Sequence, residues 1–97
     1  MNEEIFRDLE RLIQAIILLY QQEQDLKRRK MLEEIIDNTL ILRQSVKEKK
    51  GGLIEMSKVW KKTAEGLREY GLLDFVKEVE RLEFNSGPHG ADEGLDD

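Results

Sequence analysis

The segment Leu9-Glu10-Arg11-Leu12-Ile13-Gln14-Ala15-Ile16-Ile17-Leu18-Leu19-Tyr20 constrains this chain more than any other. Stepped at about 100° per residue, Ile5, Leu9, Leu12, Ile13, Ile16, Leu19 and Tyr20 fall in one band of an α-helix. Phe6 and Ile17 widen the band on one side and Ala15 on the other. The apolar arc then covers about 200°, against roughly 100° for a helix laid on a single surface. Such a helix needs two neighbours, or one neighbour and a second chain. Leu18 is the exception, pointing outward among Arg7, Arg11 and Gln14.

The rest of the chain limits where those neighbours come from. Its 97 residues, with a single proline and few β-branched runs, read as one small all-α domain. A chain this short buries only about 60–65% of its unfolded surface, so its own core gives thin stability. It has no cysteine, hence no disulfide and no thiolate metal site. Oligomerisation or a permanent partner is the remaining support. The longest wholly apolar run, Ala15 to Tyr20, is far short of the ~20 residues that span a bilayer, so no membrane insertion is expected. Glu3 and Glu4 stand where a signal peptide would carry basic residues, and a cytoplasmic location is the default expectation.

Residues 3–50 contain neither glycine nor proline, so a single long helix has to be weighed. The periodicity argues against it. Leu32, Ile35, Ile36, Thr39, Leu40, Leu42 and Val46 share one face that, carried on unbroken, points about 140° away from the first. A turn within Gln24–Lys30 resolves the conflict and gives a helical hairpin. Lys27-Arg28-Arg29-Lys30 would complement the C-terminal dipole of the first helix. Asp25 as the cap of the second helix is the alternative, with four cations in an unfavourable first turn. The first segment is acidic and the second basic, which favours packing them side by side. Exposed pairs of this kind contribute only about 0–1 kcal/mol each, so they select orientation and do not drive folding.

The second helix stops at Lys47-Glu48-Lys49-Lys50-Gly51-Gly52, with cations in the last turn and glycine free to take positive φ. A third helix follows from Leu53 to Tyr70, with Leu53, Met56, Val59, Trp60, Ala64 and Leu67 on one face and Gly66 at its edge. Glu69-Tyr70-Gly71-Leu72 reads as a Schellman stop with Leu72 folding back onto Leu67. Asp74 then caps a short fourth helix, Phe75–Phe84, striped by Phe75, Val76, Val79 and Leu82. From Asn85 the composition turns polar and acidic, predicting a disordered tail over 85–97 after a helical domain of 1–84. The expected fold is an antiparallel three-helix bundle, a long hairpin plus the third helix, with the short fourth helix added.

Catalytic constellations are missing from the sequence. The only histidine, His89, lies in the tail, so no His-centred triad or metal site is expected, and no cofactor. Glu33, Glu34 and Asp37 share a helix face, but di-metal bundles need carboxylates on several helices with Glu-x-x-His pairs. Arg43 projects onto the apolar face of the second helix and is expected to snorkel or to pair with Glu23. The basic cluster Lys27–Lys30 has no interleaved aromatics. The helix after Gly71-Leu72-Leu73 carries Asp74, Glu78, Glu80 and Glu83, which phosphates would repel. Neither an enzyme nor a nucleic-acid binder is expected.

Gln22-Glu23-Gln24-Asp25-Leu26 leading into Met31-Leu32-Glu33-Glu34-Ile35-Ile36, then Leu42-Arg43-Gln44-Ser45-Val46-Lys47-Glu48-Lys49, resembles the two long antiparallel helices of bacterial flagellar export chaperones. Those chaperones serve hook-associated proteins and the filament cap. Glu69-Tyr70-Gly71-Leu72-Leu73-Asp74 is similar to their turn and short amphipathic helix, and the resemblance spans residues 5–84. It implies a cytoplasmic chaperone that holds the terminal helix of an export substrate. The surplus apolar arc points the same way, toward helix-in-groove recognition. The expected partner is a protein: the amphipathic helix of a client, or the chain's own copy in a homodimer. Expected partner-binding residues are Ile13, Ile17, Tyr20, Ile36, Leu40, Val59 and Trp60. Helix 4 has two readings, a removable mask over that groove or a permanent element closing the core.

Overall fold

A computed structural model describes residues 2–48 and 53–86. They form four helices, α1 (Asn2–Gln22), α2 (Leu26–Glu48), α3 (Leu53–Tyr70) and α4 (Leu73–Ser86), with no strand among the described residues. The all-helical class is as the sequence predicts. The predicted tail beyond Ser86, with His89, and the glycine pair Gly51-Gly52 lie outside the described residues.

The phase break is resolved by the turn Glu23-Gln24-Asp25. Arg43 in the last third of α2 reaches Glu10 in the first half of α1, at 2.8 Å, while Tyr20 near the end of α1 reaches Glu33 at 2.8 Å. The two helices therefore run in opposite directions. Beyond this hairpin α2 packs on α3 and α3 on α4, and α4 also packs on α1.

One hydrophobic cluster joins all four helices. Leu9 and Ile16 of α1, Leu32 of α2, Leu67 of α3, and Val79 and Leu82 of α4 are wholly buried within it. Full burial of side chains this size stabilises by about 1.5–3 kcal/mol each. The wide arc of α1 thus finds both its neighbours inside the chain, α2 on one side and α4 on the other. On the α4 side, Arg81 donates to Asp8 at 3.2 Å and to Glu78 at 2.6 Å.

α4 packs as an element of the core, one of the two readings that the sequence leaves open. It extends two residues beyond each predicted end and gives three buried side chains, Val76, Val79 and Leu82, to the core. Asp74 is not its cap. The Leu72 carbonyl accepts the Val76 N–H at 3.1 Å, which leaves Asp74 in the first turn, where the helix dipole favours a negative charge. On α2, Leu40 lies at the edge of the predicted inward face and is exposed.

The stop of α3 is the Schellman motif its sequence predicts. Leu72 N–H donates to the Leu67 carbonyl at 2.9 Å and Gly71 N–H to that of Arg68 at 3.1 Å, with Gly71 at φ 106°. Buried Thr39 and Thr63 donate their hydroxyls to the carbonyls of Ile35 (2.6 Å) and Val59 (2.8 Å), so neither leaves an unmet polar group. Gly66 is where α2 and α3 approach closely, since a Cβ there would stand 2.9 Å from Ile35 Cγ1.

Both glycines therefore resist substitution, for different reasons. Gly71→Ala should cost about 1–2 kcal/mol, through left-handed backbone strain alone. Gly66→Ala gains about 0.8–1 kcal/mol in helix propensity but overpacks Ile35 at about 1–3 kcal/mol. Urea denaturation should show net destabilisation for both. A stabilised Gly66→Ala would mean that the helices separate freely.

Candidate functional site

Two places concentrate polar and apolar groups: the α1–α2 turn and the outer seam between those helices. At the turn Asp25 caps α2, its Oδ2 accepting the Arg28 N–H at 2.9 Å. The basic cluster accordingly opens α2 and does not close α1. Arg29 still serves the end of α1, because its Nη1 reaches back to the carbonyls of Tyr20 (3.2 Å) and Glu23 (2.9 Å). Its guanidinium also lies 4.1 Å from the centre of the Tyr20 ring.

Arg28 lies 4.0 Å from the centre of the Tyr70 ring and donates from Nε to Glu23 at 3.2 Å. The Tyr70 hydroxyl donates to the same Glu23 oxygen, Oε1. Glu23, Arg28 and Tyr70 therefore latch the end of α3 to the hairpin turn. The Tyr70 hydroxyl, followed by the Asp25 backbone N–H, holds the Glu23 carboxyl below its ordinary value of 4.5. The same hydrogen bond, followed by burial, pushes the Tyr70 hydroxyl above its ordinary 10.0. Two of the four cations are thus committed to the turn, while Lys27 and Lys30 are exposed. Arg43 does not pair with Glu23. It pairs with Glu10 and lies 5.9 Å from the Phe6 ring centre.

The outer seam holds an open trough of about 430 Å³, lined by Ile17, Tyr20 and Gln21 of α1 and by Glu33, Ile36 and Asp37 of α2. Three residues predicted from sequence, Ile17, Tyr20 and Ile36, meet there. Leu40 follows Ile36 by one helical turn and is 37% exposed, extending the apolar strip. Ile13 and Trp60, at 2% and 5% exposure, pack inside the molecule, so their surfaces are already spent on the fold. Val59 is half-buried on α3 and does not line the trough.

Sequence reasoning missed the three polar residues that line the trough, Gln21, Glu33 and Asp37. Ile41, one turn beyond Asp37 on α2, is 48% exposed outside it. The signal for Ile41 was its place on the polar face of α2 beside Asp37 and Gln44, where burial offers no reason for an isoleucine.

A second trough of about 500 Å³ runs between α2 and α3 over Ile35 and Gly66, with Glu34, Asp37, Glu65 and Glu69 along it. Asp37 lines both. Among the described residues no group of three or more His, Cys, Asp or Glu side chains is arranged to hold a metal ion, and no helix is long and apolar enough to cross a membrane. Compared with family models, curated proteins and solved structures, the chain finds no match.

The latch sets a pH dependence at both ends of the scale. A carboxyl held below 4.5 contributes stability that is present above that value and is lost as pH falls through its folded value. A tyrosine held above 10.0 contributes stability that is present below that value and is lost as pH rises through its folded value. Denaturation midpoints against pH should therefore fall less steeply on the acid side in Glu23→Gln. Tyr70→Phe should soften both limbs. Unchanged slopes in both variants would remove the latch from the stability of the fold.

Proposed function

We propose that this protein is a non-enzymatic helix-binding adaptor or chaperone whose partner lays an amphipathic helix along the α1–α2 seam. The observation that carries this is the strip Ile17–Ile36–Leu40, left partly exposed although all four helices share one core. A client helix supplies apolar side chains at i, i+3/i+4 and i+7, the spacing such a seam accepts. In this proposal the molecule is an antiparallel bundle, α1 to α3 forming the body and α4 closing it. The resemblance to flagellar export chaperones points to the same task, with a cytoplasmic setting and the terminal helix of an export substrate as client.

Magnitudes favour reversible binding. Three aliphatic side chains exposed by about a third or less leave at most roughly 1.5–3 kcal/mol of burial still to be gained, at about 1.5–3 kcal/mol for each complete burial. Association itself costs about 4–15 kcal/mol. The strip alone does not offset that cost, so the client's own apolar stripe must add its burial, and the narrow margin makes the complex one that forms and releases. A permanent homodimer, the competing proposal, needs a larger apolar face.

Two measurements test this. Sedimentation of the free protein should give a monomer, and an amphipathic helical peptide should bind with Ile17 or Leu40 at its seat. Ile17→Asp and Leu40→Asp should each weaken that binding about tenfold or more while far-UV circular dichroism stays helical. A concentration-independent dimer, or binding untouched by both changes, would overturn the proposal.

A further inference from the structure

The trough on the α1 side and the trough on the α3 side meet at Asp37, which lines both. Their charges are one-sided. Glu33 and Asp37 border the apolar seam, and Glu34, Glu65 and Glu69 continue the acidic surface across to α3, all of them exposed. Lys62 is the only cation among the described residues lining the two troughs. On the α1 side the seam is bordered by neutral Gln21 and by Tyr20, whose hydroxyl is already donated to Glu33. The apolar strip thus has one strongly acidic bank and one whose lining residues carry no charge, with Arg29 stacked on the Tyr20 ring at its end.

We infer that the helix received by this seam is basic along a single flank: a leucine- or isoleucine-type stripe on the strip, with Lys or Arg beside it facing Asp37 and the acidic trough toward α3. The inference rests on the helix-binding function proposed above and adds to it the chemistry and the orientation of the partner. Burial on the strip provides adhesion, while the charged bank selects partner and polarity, because like charges placed opposite one another are rejected. Exposed carboxylates of this kind act mainly on encounter rate and discrimination, so the selectivity is salt-sensitive.

The experiment uses the full chain and two synthetic helical peptides with the same leucine stripe, one carrying lysines along one flank and the other glutamates. Titration calorimetry should show the lysine peptide binding about tenfold or more tightly. That margin should shrink as salt rises from about 0.05 M to about 0.5 M. Reversing the bank with Glu34→Lys and Asp37→Lys should invert the preference, whereas Glu4→Lys, which changes charge far from the seam, should leave it in place. Leu40→Asp adds a negative charge yet should weaken the lysine peptide. If Leu40→Asp binds that peptide as well as the parent does, the attraction is to an acidic protein at large and the inference falls. Equal binding of both peptides overturns the inference and leaves the helix-binding function standing. Binding of neither overturns both.

Discussion

The first helix is too apolar to be covered from one side, and the rest of the fold answers that requirement. An arc of about 200° needs two neighbours, and the chain supplies them as α2 and α4. Leu9, Leu12 and Ile16 are buried in one cluster with Leu32 and Ile35 on α2 and Val79 and Leu82 on α4. The helix that continues the hairpin therefore covers half the arc. The last described helix must return to cover the other half, which is why α4 is part of the body and not a strap across it. The link between Asp8 and Arg81 helps fix where it lands, though an exposed pair contributes only about 0–1 kcal/mol.

That division of labour decides what is left outside. Once α4 has taken its side of α1, the seam with α2 keeps a row of partly exposed apolar groups, while Leu18, Leu26, Leu73 and Phe84 stand exposed singly elsewhere. Ile17 and Ile36 line it, and Leu40 continues it along α2. The turn beneath is held by side chains that cross between elements: Arg29 on the last carbonyls of α1, and Arg28 with Tyr70 on Glu23. A rigid hairpin base is what a groove needs if it is to be ready before its partner arrives, because ordering after the encounter would cost affinity. In the proposed function, reversibility comes from the modest size of that strip, and discrimination from the acidic bank beside it.

Much of this was legible in the residues. Gly71 followed by Leu72 specified both the stop of α3 and its geometry, because a positive φ and a returning apolar side chain leave little choice. The phase shift between the first two stripes required a turn within Gln24–Lys30, since a straight helix cannot bury two opposed faces against one neighbour, and the turn stands at the N-terminal edge of that window, at Glu23–Asp25. The electrostatics of that turn were not legible. Four cations beside the start of a helix look unfavourable, so the Asp25 cap stands only as the alternative reading, and the return of Arg29 to the carbonyls of the preceding helix is contained in no local rule. The width of the α1 arc announced a need for cover without saying which element would meet it. Ile13 and Trp60 therefore looked as available as Ile17 and Ile36, and only the packing separates them.

The central claim is that α4 is a permanent wall of the core, closing α1 and leaving the α1–α2 seam open. Native-state amide hydrogen exchange tests it most directly. Amides of α4 around Val79–Leu82 should exchange only through global unfolding, with the same opening free energy as those around Leu12–Ile16 in α1. Opening of α4 several kcal/mol below the global transition, while α1 stays protected, would contradict the claim and make α4 a detachable cover.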